Sequence, residues 1–221
     1  MAKDNLPASR LTILSWALYD LANTMFSLNI VSIHFALWVV NDMGGTDSHY
    51  GYATAISMVL VLLTAPILGA ISDTAKRRIP FLIITTCCCV LFTFVLGAGT
   101  LTTSLVIFVV ANYMFQSGLI FYDALLPTIS TDENRGKIGA FGVGLGYVGS
   151  LIGALSGLVL LDTIGRLGMF KVTAVLFLIF AIPCFIFVKD HALEPFKISL
   201  RTIAISVGQI RETFKKTKEF P

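Results

Sequence analysis

Long apolar runs, repeated along the whole chain, limit its fold more than any other feature. Six segments, roughly Leu11–Val40, Gly51–Ile71, Pro80–Gly99, Ser104–Leu126, Ile138–Leu161 and Phe170–Val188, approach or exceed the length of a membrane-crossing helix, about 20 residues. Inside lipid every backbone N–H and C=O must be paired within the protein, so only helices and closed barrels can span it. These runs lack the period-two alternation of barrel strands. Only 13% of residues are charged, against about 25% in an average soluble domain, and the mean hydropathy is +0.84. The expected fold is an all-α membrane protein. A short N-terminal segment (1–10) precedes a six-helix transmembrane bundle (11–188), and a polar tail (189–221) follows.

The charges between the runs orient them. Lys3 and Arg10 precede the first, Lys76, Arg77 and Arg78 lie between the second and third, and Arg135 and Lys137 between the fourth and fifth. The alternate connections are poorer: 41–50 and 100–103 hold no Lys or Arg, and 162–171 holds Arg166 and Lys171. Basic loops stay in the cytoplasm, so both termini are expected there. Whether the membrane is plasma or vacuolar is left open. No cleavage site follows a short apolar core, so the first run is expected to remain in the mature protein as a span.

In the tail, Phe196, Leu200, Ile203, Val207, Ile210 and Phe214 recur at helical spacing among basic residues. That pattern suits an amphipathic helix on the cytoplasmic membrane surface, or one packed on a soluble domain. The chain stops at Pro221 without a terminus signal, so it is expected to continue in the intact protein.

Several functions find no support. No basic stripe alternates with aromatics, so nucleic acid is not an expected partner. Cys87, Cys88 and Cys89 are consecutive and point around a helix rather than toward one metal. The glycines of the fifth run follow no strand and precede no Lys-Ser/Thr, so they form no phosphate loop. No cofactor and no metal are expected.

Ionisable and polar groups inside the runs are the candidate functional residues. Asp20 lies within the first, where a carboxylate costs at least about 2.5 kcal/mol. On a regular helix Asn23, Thr24, Ser27 and His34 project within about 60° of Asp20. This stripe faces either a water-filled cavity or a polar contact between helices. Tyr19 sits beside Asp20, and Gln116 in the fourth run is a further candidate for a solute hydrogen bond. Asp123 is either part of a polar centre with Asp20 or a wetted helix end. In the fifth run Gly149, Gly153 and Gly157 repeat every four residues, after Gly142 and Gly146. Such a ridge lets helix backbones approach closely.

After the second run the chain reads Gly69-Ala70-Ile71-Ser72-Asp73-Thr74-Ala75-Lys76-Arg77-Arg78. Asp73 can cap the next helix or pair with Arg77 or Arg78, contacts that a gate could make and break. An ordinary cap beside a positive-inside anchor would look the same. The placing of Gly69, Asp73, Arg77 and Arg78 resembles the signature loop between the second and third helices of the major facilitator superfamily. Thr74 and Lys76 depart from that pattern. The resemblance implies a cytoplasmic gate at these four residues. The stretches Ser15-Trp16-Ala17-Leu18-Tyr19-Asp20-Leu21-Ala22-Asn23, Phe121-Tyr122-Asp123-Ala124-Leu125-Leu126-Pro127 and Glu133-Asn134-Arg135-Gly136-Lys137-Ile138-Gly139 are similar to the superfamily's vacuolar-effluxer-like branch.

The resemblance runs over residues 12–188 and covers only the first half of such a transporter. It implies a missing C-terminal half as partner, a small polar solute such as an amino acid as substrate, and coupling to protons or a cation. A sugar–cation symporter of the same architecture is the alternative. An intramembrane enzyme is a weaker rival, because no catalytic constellation is marked out, and a six-span homodimer or scaffold is another. Asp73-Thr74-Ala75-Lys76-Arg77 recurs faintly as Asp162-Thr163-Ile164-Gly165-Arg166. An inverted repeat of three spans would place these two loops at equivalent positions on opposite sides of the membrane.

Overall fold

The computed structural model describes residues 8–75 and 77–189, without the side chains of 73–75. Apart from Lys189, the expected amphipathic tail lies outside the described residues, as do Met1 to Pro7. What is described is all helix and turn. Among the described residues, four helical stretches are long and apolar enough to cross a membrane, and these are Arg10–Asp42, Asp47–Ser72, Leu101–Ile129 and Arg135–Phe187. Ile79–Phe94 is equally apolar but shorter.

Helix α1 occupies Arg10–Asp42. Ser9 caps it, its Oγ accepting from Thr12 N at 3.1 Å. The helix is α-helical over Arg10–Phe26, but Ser27–His34 and Trp38–Asp42 are π-helical. In a π-helix the backbone bonds to the carbonyl five residues back, instead of four as in an α-helix. Accordingly Ser32 Oγ donates to Ser27 O at 3.0 Å, and Met43 N donates to Trp38 O at 3.1 Å.

Helices α2 (Asp47–Ala75), α3 (Ile79–Phe94) and α4 (Leu101–Asp123) follow, then the short α5 (Leu126–Ile129). The third run was expected to reach Gly99, but α3 ends at Phe94. Gly97 and Gly99 then turn the chain at φ +87° and +88°, backbone angles that glycine adopts without a Cβ penalty.

The stretch Arg135–Phe187, together called α6, is two helices that meet at one non-helical residue, Gly165, at φ 64° and ψ 179°. A loop was expected over 162–171. Instead the helix runs through nearly all of it, because one glycine in a region closed to other residues suffices to reverse the chain. The two arms, 135–164 and 166–187, flank α1 in opposite directions. Gly142 meets Trp16 and Gly157 meets His34. On the other arm, Phe170 meets Phe35, Phe177 meets Phe26, and Phe187 O accepts from Thr12 Oγ1.

Against α4, helix α1 packs through aromatic rungs. Tyr19 stacks on Tyr122 at 5.0 Å, Phe26 meets Phe115 at 4.6 Å and Phe35 stacks on Phe108 at 4.4 Å. The rungs are seven residues apart on α4 throughout. On α1 the step lengthens from seven to nine between Phe26 and Phe35, across the π-helical stretch.

Next to the break in α6, Arg166 Nη1 donates to both carboxylate oxygens of Asp42, at 2.9 and 3.0 Å. The pair ties the far end of α1 to the α6 turn. Its side chains are 21% and 39% exposed, so screening limits it to about 1 kcal/mol. Arg166→Ala should therefore lower stability by no more than about that amount. A double-mutant cycle with Asp42→Ala, read by thermal melting in detergent, should return a coupling of the same size.

Candidate functional site

The polar residues of α1 meet the glycine ridge of α6. A Cβ added at Gly146 would lie 2.8 Å from Thr24 Oγ1 and 3.3 Å from Asp20 Oδ2. One at Gly153 would lie 3.0 Å from Asn29 Oδ1, and one at Gly157 3.3 Å from His34 Nε2. At Gly149 it would stand 2.2 Å from the Leu21 carbonyl oxygen. The ridge is thus where the two backbones approach most closely. It leaves no side chain between the α6 backbone and the polar tips of α1.

Thr24, Asn29 and His34 are spaced by five residues and all three reach the ridge, the last two from within the π-helical stretch. Asn29 is 1% exposed and His34 3%. Asn29 Nδ2 donates to Ser156 Oγ at 3.3 Å and Thr173 Oγ1 at 3.1 Å, linking both arms of α6. Its Oδ1 and the Nδ1 of His34 are buried without a hydrogen-bond partner among the described residues. Beside them lies a recess of about 430 Å³ lined by Asn29, Ile33, His34, Gly153, Gly157 and Asp162, among others.

The other candidates occupy different surroundings. Tyr19 is buried, its hydroxyl 2.6 Å from Thr86 Oγ1. Asn23 is buried, and neither of its amide atoms has a hydrogen-bond partner among the described residues. Ser27 and Gln116 are half-buried, and Asp123 is exposed at the end of α4. Next to Asp123, Tyr122 stacks on Trp16 at 4.8 Å, and the Tyr122 carbonyl accepts from the indole nitrogen at 3.5 Å.

At the other candidate site, Arg78 Nη1 donates to Thr128 Oγ1 on α5 at 3.1 Å. Arg77 is half-buried. A Cβ at Gly69 would meet nothing within 4 Å among the described residues. The Asp73 side chain lies outside them.

Two polar residues escaped the sequence reasoning. On a regular α-helix Asn29 falls opposite Asp20, so its place on the ridge depends on the π-helical rephasing. Asn112, fully buried in α4, donates from Nδ2 to Ser57 Oγ at 2.7 Å and joins α2 to α4. An amide inside an apolar run was the available signal for both.

Comparison with known proteins places this architecture. The chain is 27% identical over 158 residues to an uncharacterized MFS-type transporter, YxiO, of Bacillus subtilis (strain 168), covering 62% of this chain and 35% of that protein. It is 28% identical over 203 residues to an uncharacterized protein of Aquifex aeolicus (strain VF5), covering 91% of this chain and 51% of the relative. The chain therefore spans about half the length or less of these curated relatives. The family model described as Major Facilitator Superfamily matches residues 19–218. With long apolar helices throughout and a match over nearly its whole length, this integral membrane chain belongs to the Major Facilitator Superfamily.

Proposed function

We propose that the chain forms the first, six-span half of a secondary transporter that moves a small polar solute by alternating access. A second half, beyond the present sequence, supplies the opposite wall of the path, and the two rock about a site near the midplane. Both termini lie in the cytoplasm, and residues 189–221 form the amphipathic linker between the halves. Gly69, Asp73, Arg77 and Arg78 act as the cytoplasmic gate. Tyr19, Asp20, Asn23, Ser27, His34, Gln116 and Asp123 belong to the solute or ion pathway. A proton or another cation supplies the driving force, and amino acids are the first solute class to test, in keeping with the vacuolar-effluxer-like resemblance.

One observation carries most of this proposal: Asp20, Thr24, Asn29 and His34 sit along a bare glycine ridge, the only two ionisable groups among them lying within a membrane-length apolar run. Polar groups at that depth are costly, and they mark solute or ion paths in membrane proteins.

The test is uptake by proteoliposomes holding the intact gene product, screened with labelled amino acids and sugars under proton, sodium and lithium gradients. The expected result is gradient-driven accumulation of at least one polar solute above empty vesicles. Accumulation of none, under every gradient, would count against transport. Sugar uptake that requires sodium or lithium would replace the amino-acid assignment.

A further inference from the structure

The recess between α1 and the first arm of α6 is well supplied with hydrogen-bond acceptors. Asn29 uses its amide nitrogen on Ser156 and Thr173, which leaves its oxygen to accept. His34 presents Nε2 toward Gly157 and keeps Nδ1 unpartnered. Ser156 Oγ donates to Gly153 O at 2.7 Å and so offers no free hydrogen. Asp162 lies at the rim and is exposed.

Arg166, the nearby cation, lines the adjoining crevice with Asp162, but its Nη1 is held by both oxygens of Asp42. Among the described residues Asp162 has no ion-pair partner. Of the charged residues that line the recess and the adjoining crevice, Asp42, Asp162 and Arg166, the sum is net negative. The remaining lining, Ile33, Ala154, Leu158 and Leu161, is apolar. A volume of about 430 Å³ is far larger than a bare ion needs and lies in the range of small-molecule sites.

Acceptors at the back, a carboxylate at the mouth and alkyl walls fit a ligand that is cationic, donates hydrogen bonds and carries a short hydrocarbon. We propose that this recess binds the protonated amine of a small organic solute, with Asn29 Oδ1, the His34 imidazole and the Asp162 carboxylate as acceptors. Gly153 and Gly157 keep the recess open, since a side chain at either would meet those acceptors. The biological role of the site, as a solute contact, rests on the transport proposal. Its occupancy can be measured without transport.

The experiment is binding of n-butylammonium chloride to the purified intact protein in nanodiscs, followed by ligand-observed saturation-transfer NMR and by thermal melting. The controls are 1-butanol, sodium butyrate and sodium chloride. Butylammonium should bind and raise the melting temperature, and the controls should not. Asp162→Asn should weaken binding about tenfold, the effect of losing one charge at a partly wetted rim. Gly157→Ala, which puts a methyl group 3.3 Å from His34 Nε2, should weaken it as well. The site is refuted if butylammonium does not bind, if butanol or sodium chloride gives the same response, or if both variants bind butylammonium as tightly as the parent. Butylammonium binding without any solute uptake would leave the site standing and sink the transport proposal. Uptake of amine-free solutes, with no butylammonium binding, would do the reverse.

Discussion

Gly149→Ala is expected to destabilise the bundle by about 3 kcal/mol or more, at the upper end of the cost of overpacking. A single methyl group there would lie 2.2 Å from the Leu21 carbonyl oxygen, 2.9 Å from its carbon and 3.0 Å from its Cα. All three atoms are main chain, so no rotamer change can relieve the clash. Either α1 and α6 separate, or a π-helical register that starts only two turns away is disturbed. Gly144→Ala is the matched control in the same arm. Its Cβ would meet nothing within 4 Å, and alanine favours a helix over glycine by up to about 1 kcal/mol. The parent and both variants can be compared by thermal melting in detergent with size-exclusion readout. A Gly149→Ala protein that melts with the parent would show that the helices do not dock at this point.

Asp20→Asn is expected to lower solute uptake about tenfold or more, the equivalent of about 1.4 kcal/mol in the rate-limiting step, and to leave the fold intact. Asparagine has nearly the same shape, so the contact of Asp20 with the ridge, where its Oδ2 lies 3.6 Å from the position of a Gly142 Cβ, is preserved. The substitution thus separates charge from packing. An ionised aspartate at membrane depth costs about 2.5–3.5 kcal/mol. If the carboxylate had only a structural part, its amide would be tolerated or would raise the melting temperature without changing flux. Loss of uptake at unchanged or higher stability is the signature of a pathway role. Unchanged uptake with unchanged pH dependence would remove Asp20 from the coupling proposed above.

The helices were largely legible because lipid leaves a backbone so few choices. The apolar runs located α1, α2 and α4 within a few residues, and α6 as two of them. Their ends were less legible. The sequence shows polar residues at 162–171, but it does not show that Gly165 alone can reverse the chain while its neighbours stay helical. The ridge Gly142, Gly146, Gly149, Gly153 and Gly157 was visible as a packing face, whereas its partner was not. Composition cannot say which helix fills a groove.

The polar face of α1 was legible only in part. Asp20 and Thr24 fall in an α-helical stretch, or just beside its end, and a regular wheel puts them together. Asn29 lies within the π-helical stretch, where a regular wheel assigns it to the wrong side. Nothing in Ser27–His34 distinguishes a π-helix from an α-helix by residue type. The wide turn lies where α1 packs between the aromatic rungs to α4 and the glycine ridge.

That stretch works as a spacer. Each residue of an α-helix turns the chain by about 100°, and each residue of a wider π turn by less, so Ser27–His34 takes up additional residues without swinging the end of α1 out of phase. Rewound as a regular α-helix, the same residues would rotate everything beyond them: His34 would leave Gly157 and Asp42 would be carried away from Arg166, while Asp20 kept its place at Gly146. The last third of the helix therefore keeps time with its neighbours only as long as the slack turns persist.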